Sequence, residues 1–148
     1  MNKIGYLIPD FAFINAKNEV IKLEDFNNKV VFIHFWSAKH KDFEKNFEQI
    51  NTINKKINAQ NAIFIKVNID NNPILWRKIM RKMQPDKFQV FSSDDNIYTK
   101  NLAEYFNVGD KPVNIVINKR GNLVKNLQPS EFKEAEVMTL VRKELSKK

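Results

Sequence analysis

The chain has 148 residues, enough for one domain with a sizeable core, and 43% of them are aliphatic or aromatic, which argues against disorder. It contains no cysteine, and this excludes disulfides, thiolate-bound metals, iron–sulfur clusters and every reaction of a protein thiol. The formal charge is +8, but the basic residues are spread in small groups, Lys39/Lys41, Arg77/Lys78/Arg81/Lys82, Lys119/Arg120 and Lys147/Lys148. Acids interrupt them and no basic run is interleaved with aromatics, so nucleic acid is a disfavoured partner and the charge reads as solvated surface.

No segment is long and apolar enough to cross a bilayer as a helix. The opening "MNKIGYLIPDF" lacks the apolar centre of a secretory signal. The expectation is a single domain over residues 1–148, cytoplasmic as the chain stands, or periplasmic or envelope-located if an N-terminal segment is removed.

"FAFINA" and "NEVIKL" predict two short strands around a polar turn at Lys17-Asn18, and "LEDFNNK" a turn or single helical turn. "VVFIHFW" (Val30 to Trp36) is apolar at nearly every position, the pattern of a strand covered on both faces. Phe43, Phe47, Ile50, Ile53 or Asn54, and Ile57 then recur at helical spacing. "AIFIKVNID" (Ala62 to Asp70) predicts a strand. "PILWRKIMRKM" predicts a helix whose Pro73 suits the first turn, where a missing N–H does no harm. "FQVF" (Phe88 to Phe91) is a short strand and "TKNLAEYF" a short helix. "VNIVIN", "KRGN" and "LVKNL" make a hairpin in which Gly121 takes a positive φ. Ser130 is placed to cap a last helix whose buried stripe is Phe132, Ala135, Met138, Val141 and Leu145. The order β-β-β-α-β-α-β-α-β-β-α implies an α/β domain, a mixed central sheet flanked by helices on both faces.

Six segments in this order, "PDF", "EVIKLEDF", "KVVFIHFW", "VNID", "LAEYFNV" and "KPVNIVINKRGNLV", resemble thioredoxin-like proteins of the TlpA/ResA type, within the group that includes the AhpC/TSA peroxiredoxins. The resemblance covers nearly the whole chain and implies a thioredoxin-like fold with an extra N-terminal strand pair. In that family a Cys-x-x-Cys motif follows the Phe-Trp strand end. Its four positions fall here on His40, Lys41, Asp42 and Phe43, so both cysteines are lost. Thiol–disulfide exchange needs a thiolate, which neither imidazole nor phenyl supplies. The resemblance also assigns Pro112, after Lys111, to the family's cis-proline, beside which relatives pair backbone with an extended client.

His40 is expected at the exposed start of the helix, flanked by Lys39 and Lys41. His34 is expected as a hydrogen-bonded core residue on the face of Val30, Phe32 and Trp36. A metal held by His34, His40 and Asp42 and a Ser37–His40 nucleophile pair are both weak candidates. No cofactor is called for. The reading these residues favour is a redox-inactive binding or adaptor module for a protein or peptide client, with a groove at Trp36, His40, Phe43, Lys111 and Pro112. Two alternatives are an enzyme acting with a thiol supplied by a partner or glutathione, and electrostatic attachment to nucleic acid or an acidic surface.

Overall fold

A computed structural model describes residues 5, 7–8, 11–83, 85–91, 105–109, 111–127 and 132–148. Strands β1 (Ala12–Asn15) and β2 (Val20–Lys22) form an antiparallel pair whose turn uses Asn18 at φ 62. A 3-10 turn at Leu23–Phe26 follows, then β3 (Val30–Trp36), helix α1 (Phe43–Ile57), β4 (Ala62–Asn68), α2 (Pro73–Met83), β5 (Gln89–Phe91), β6 (Val113–Ile117), β7 (Leu123–Leu127) and α3 (Glu134–Ser146).

All seven strands join one sheet in the order β2-β1-β5-β4-β3-β6-β7. β3 runs parallel to β4 and antiparallel to β6, and every residue in it is buried, as its unbroken apolar run requires. β1 joins the sheet through an antiparallel contact with β5, so the N-terminal strand pair extends the sheet at that edge.

Alternation along β3 divides the core in two. Val31, Ile33 and Phe35 face a cluster with Phe13, Ile65, Val67 and Ile115, against which Leu23, Phe26 and Tyr105 pack. Val30 and Phe32 face the other way, toward Ile50 and Ile53 of α1 and Val137 and Val141 of α3. Trp36 lies on that same side with Phe47 of α1, Phe91 of β5 and Trp76 and Met80 of α2. Three α-helices therefore cover one face. The other is covered among the described residues by the 3-10 turn and the segment around Tyr105, the end of the expected "TKNLAEYF" helix, whose remainder lies outside them.

The last helix corrects one expectation. Its buried residues are Val137, Val141 and Glu144, while Ala135 is exposed and Phe132, Met138 and Leu145 are half-buried. The helix is turned so that the larger apolar surface of Val137, rather than the methyl of Ala135, meets the sheet. The expected cap, Ser130, lies outside the described residues.

Candidate functional site

β3 and β4 end level with each other, Trp36 opposite Asn68, so the residues that follow them meet at one end of the sheet. The Asp70 carboxylate accepts the Ser37 hydroxyl on one oxygen. On the other it accepts the Ala38 N–H at 2.7 Å and the Asn68 amide at 3.0 Å. The Asp70 N–H donates to Asn68 Oδ1 at 3.0 Å, and Ser37 Oγ accepts the Lys39 N–H at 3.0 Å. A carboxylate receiving this many donors fixes the corner between β3 and α1.

His40 closes the same corner from the other side, and here the structure corrects the sequence. The residue is 6% exposed, not at a solvent-facing helix start. The Ser37 N–H donates to His40 Nδ1 at 2.9 Å, so that nitrogen is the acceptor and the ring proton sits on Nε2, which donates to the Gly109 carbonyl at 3.3 Å. The imidazole thus ties the corner to the segment that leads into β6. The helix begins three residues later, at Phe43, with Asp42 exposed before it at φ 65 and making no side-chain cap.

Two weak candidates do not assemble. The Ser37 hydroxyl is bonded to Asp70 and not to His40, so the nucleophile–base contact is missing. Among the described residues no three His, Asp or Glu side chains are placed to hold a metal, and both nitrogens of His40 already have partners.

Pro112 brings a second correction. No peptide bond among the described residues is cis, so Lys111–Pro112 is trans. The trans form is the lower one for X–Pro by about 0.5–1 kcal/mol, and here the neighbouring Gly109 is held to the corner by His40 instead. Pro112 is half-buried directly before β6, whose Val113 pairs with Phe35. Lys111 is exposed, and its backbone makes no hydrogen bond to the described residues.

Phe43 lies flat on Trp36, centroids 5.2 Å apart and planes 15° apart, while Phe47 meets the indole edge-on at 4.7 Å and 84°. Trp36 is fully buried beneath them, so it supports Phe43, which is half-exposed at the surface. The residues expected to share the groove therefore divide. Phe43, Lys111 and Pro112 reach solvent, and Trp36 and His40 hold the frame beneath.

One layer deeper, register aligns four polar side chains across adjacent strands: Gln89, Lys66, His34 and Asn114, all buried. His34 Nδ1 lies 2.6 Å from Asn114 Oδ1, an acceptor, so Nδ1–H donates and Nε2 is left without a partner among the described residues. Burial pushes the His34 pKa down to about 4; the bond to Asn114 opposes this, and the charge of Lys66 adds to it. Burial also lowers the Lys66 pKa, against the nearby Asp86 carboxylate. Its ammonium passes 5.8 Å from the Phe47 ring and donates to Asn51 Oδ1 of α1 at 2.7 Å.

The sequence reading placed His34 in the core but missed Asp70, Asn68 and Asn114. A signal was present for Asp70: two parallel strands that end in register bring an Asp two residues past one strand end beside the corner that follows the other.

A mixed sheet with a helix springing from the end of its central parallel strand, and an antiparallel β6 that begins beside that corner with Val113 opposite Phe35, is the thioredoxin fold. Residues 4–126 match the AhpC/TSA family, and the chain belongs to it. Over 131 residues it is 23% identical to the thiol-disulfide oxidoreductase ResA of Geobacillus kaustophilus, covering 88% of this chain and 72% of that one. The thioredoxin domain of a thiol-disulfide oxidoreductase from Bacteroides vulgatus superposes with a TM-score of 0.78 at 20% identity, covering 95% and 99% of the two chains. A thiol:disulfide interchange protein of the thioredoxin family from Chlorobium tepidum gives 0.75 at 12% identity, covering 99% and 100%. At these identities the structural likeness speaks for the fold alone. No helix among the described residues is long and apolar enough to cross a membrane.

Proposed function

We propose that this protein is a redox-inactive member of the family that binds an extended polypeptide segment at the corner between Phe43 and Lys111–Pro112. The observation that carries the reading is the fate of the two positions at which the resemblance places cysteines. His40 is turned inward as a hydrogen-bonded tie, and Phe43 presents an apolar ring on the buried Trp36. Without a thiol anywhere in the chain, no mixed disulfide can form on it, whatever the redox poise of its compartment. What the reading draws on is an apolar, half-exposed ring at Phe43 and the exposed Lys111, whose backbone makes no hydrogen bond among the described residues and would be available to an added strand.

Phage-displayed random peptides selected on the intact protein, followed by calorimetry on the enriched sequence, test this. Phe43→Asp is expected to abolish binding. Lys111→Pro removes the backbone donor and weakens binding, whereas Lys111→Ala leaves it near wild type. Affinity is expected to change little between low and physiological salt. Enrichment of no peptide, or equal binding by Phe43→Asp, rejects the reading. A collapse of affinity with salt favours electrostatic attachment instead. Disulfide turnover with added glutathione that His40→Ala removes favours an enzyme.

A further inference from the structure

A cavity of about 280 Å³ opens at the opposite end of β3 from the corner, about 16 Å along the strand from Trp36. Leu23 and Phe26 of the 3-10 turn, Val31 of β3 and Ile117 of β6 form its apolar floor. Leu7 stands at its edge, 68% exposed and packed toward Gly121, where an added Cβ would lie 3.3 Å from the Leu7 methyl.

The polar lining is one-sided. Three cations, Lys29, Lys119 and Arg120, border the cavity against a single carboxylate, Glu24, which is paired with Lys22 at 3.8 Å. None of the three belongs to an ion pair among the described residues. Lys119 is half-buried and fixed, its ammonium donating to the carbonyls of Leu145 at 2.8 Å and Lys147 at 2.6 Å, which leaves one of its three hydrogens unassigned. Lys29 is also half-buried, and among the described residues its ammonium has only the Gln60 carbonyl near it, at 3.5 Å. The guanidinium of Arg120 has no partner among the described residues, although its backbone N–H is held by Asn118 Oδ1 at 3.0 Å. An apolar floor under a rim of unpaired cations is complementary to a molecule with one anionic head and an apolar tail.

We propose that this cavity is a binding site for a free medium-chain fatty carboxylate, its tail on Leu23, Phe26, Val31 and Ile117 and its head between Lys29 and Arg120. The site is separate from the polypeptide corner and does not depend on it.

Titration of the intact protein with decanoate, decanol and decyltrimethylammonium, read by calorimetry and by the shift in Tm, tests the proposal. Decanoate is expected to saturate a single site, raise Tm and move the amide resonances of Val31 and Gly121 while leaving that of Lys111 in place. Lys29→Gln/Arg120→Gln, both changes at the rim, is expected to lower decanoate affinity roughly tenfold and leave the weak decanol response unchanged. Leu23→Trp, which fills the floor, is expected to abolish both; if that variant fails to fold, the rim variant alone decides. Equal affinity for decanoate and the neutral or cationic amphiphile, an unchanged affinity in the rim variant, or the absence of saturable binding overturns the proposal.

Discussion

The carboxylate of Asp70, two residues beyond β4, receives the hydroxyl of Ser37, the first residue beyond β3. The same side chain takes the Ala38 N–H, so one charged group holds the chain at its turn from the central strand toward α1. Charge-assisted hydrogen bonds of this kind contribute about 1.5–3 kcal/mol each to stability. In Asp70→Asn an NH₂ group replaces one acceptor and opposes one of the donors. The variant is expected to lose about 2 kcal/mol in urea unfolding, and Ser37→Ala about 1 kcal/mol. Faster hydrogen exchange at the Ala38 and Lys39 amides would localise the effect. An unchanged urea midpoint for Asp70→Asn would show that the carboxylate does not hold the corner.

His34 makes the fold acid-sensitive. Its pKa lies near 4 in the folded chain against 6.5 for the free side chain. Between these values the unfolded chain binds a proton that the folded chain does not, so stability falls as the pH drops from 6.5 toward 4. Each pH unit costs about 1.4 kcal/mol, or about 3 kcal/mol over the window, and above pH 6.5 the contribution is flat. Urea unfolding at a series of pH values should give this slope in the wild type. In His34→Leu the slope should fall by about one proton. If the two proteins keep parallel profiles, His34 is not the group responsible.

Lys66 sits beside His34 in register and its charge helps to keep the imidazole neutral. A buried ammonium is itself unfavourable, which is why its own pKa falls. Lys66→Met keeps the unbranched stem against Phe47 and removes the charge, leaving Asn51, on the exposed side of α1, to water. The expected result is stability equal to or greater than wild type by about 1 kcal/mol at neutral pH, together with a rise in the His34 pKa that NMR titration of the ring would read. A lower His34 pKa in the variant would contradict the stated role of the Lys66 charge.

Where one local pattern sets the outcome, the sequence is readable in detail. β3, α1 and α2 fall on the spans that apolar runs and helical spacing predict, because burial on both faces or along one stripe leaves each few alternatives. The candidate site is less legible because it depends on pairs far apart in the chain. The orientation of His40 is decided by Gly109, 69 residues away, and the polarity around His34 by Asn114, 80 residues away. A sequence window around His40 shows two lysines and suggests an exposed residue. It does not contain the carbonyl that draws the ring inward.

Helix α3 shows the same limit at the level of packing. Helical spacing admits two neighbouring stripes that share Val141, one through Ala135 and Met138 and one through Val137 and Glu144, and only contact with β3 and α1 selects between them. The selected stripe carries a buried Glu144, one oxygen bonded to Lys147 at 2.8 Å. Val137 is fully buried among Val30, Phe32 and Ile53, so Val137→Ala should lose about 2 kcal/mol through transfer and cavity terms together. Ala135→Ser, on the exposed side, should stay within about 0.5 kcal/mol of wild type. Chemical denaturation of the two variants decides the orientation of the helix. A larger loss for Ala135→Ser than for Val137→Ala would mean that α3 turns its other stripe to the sheet.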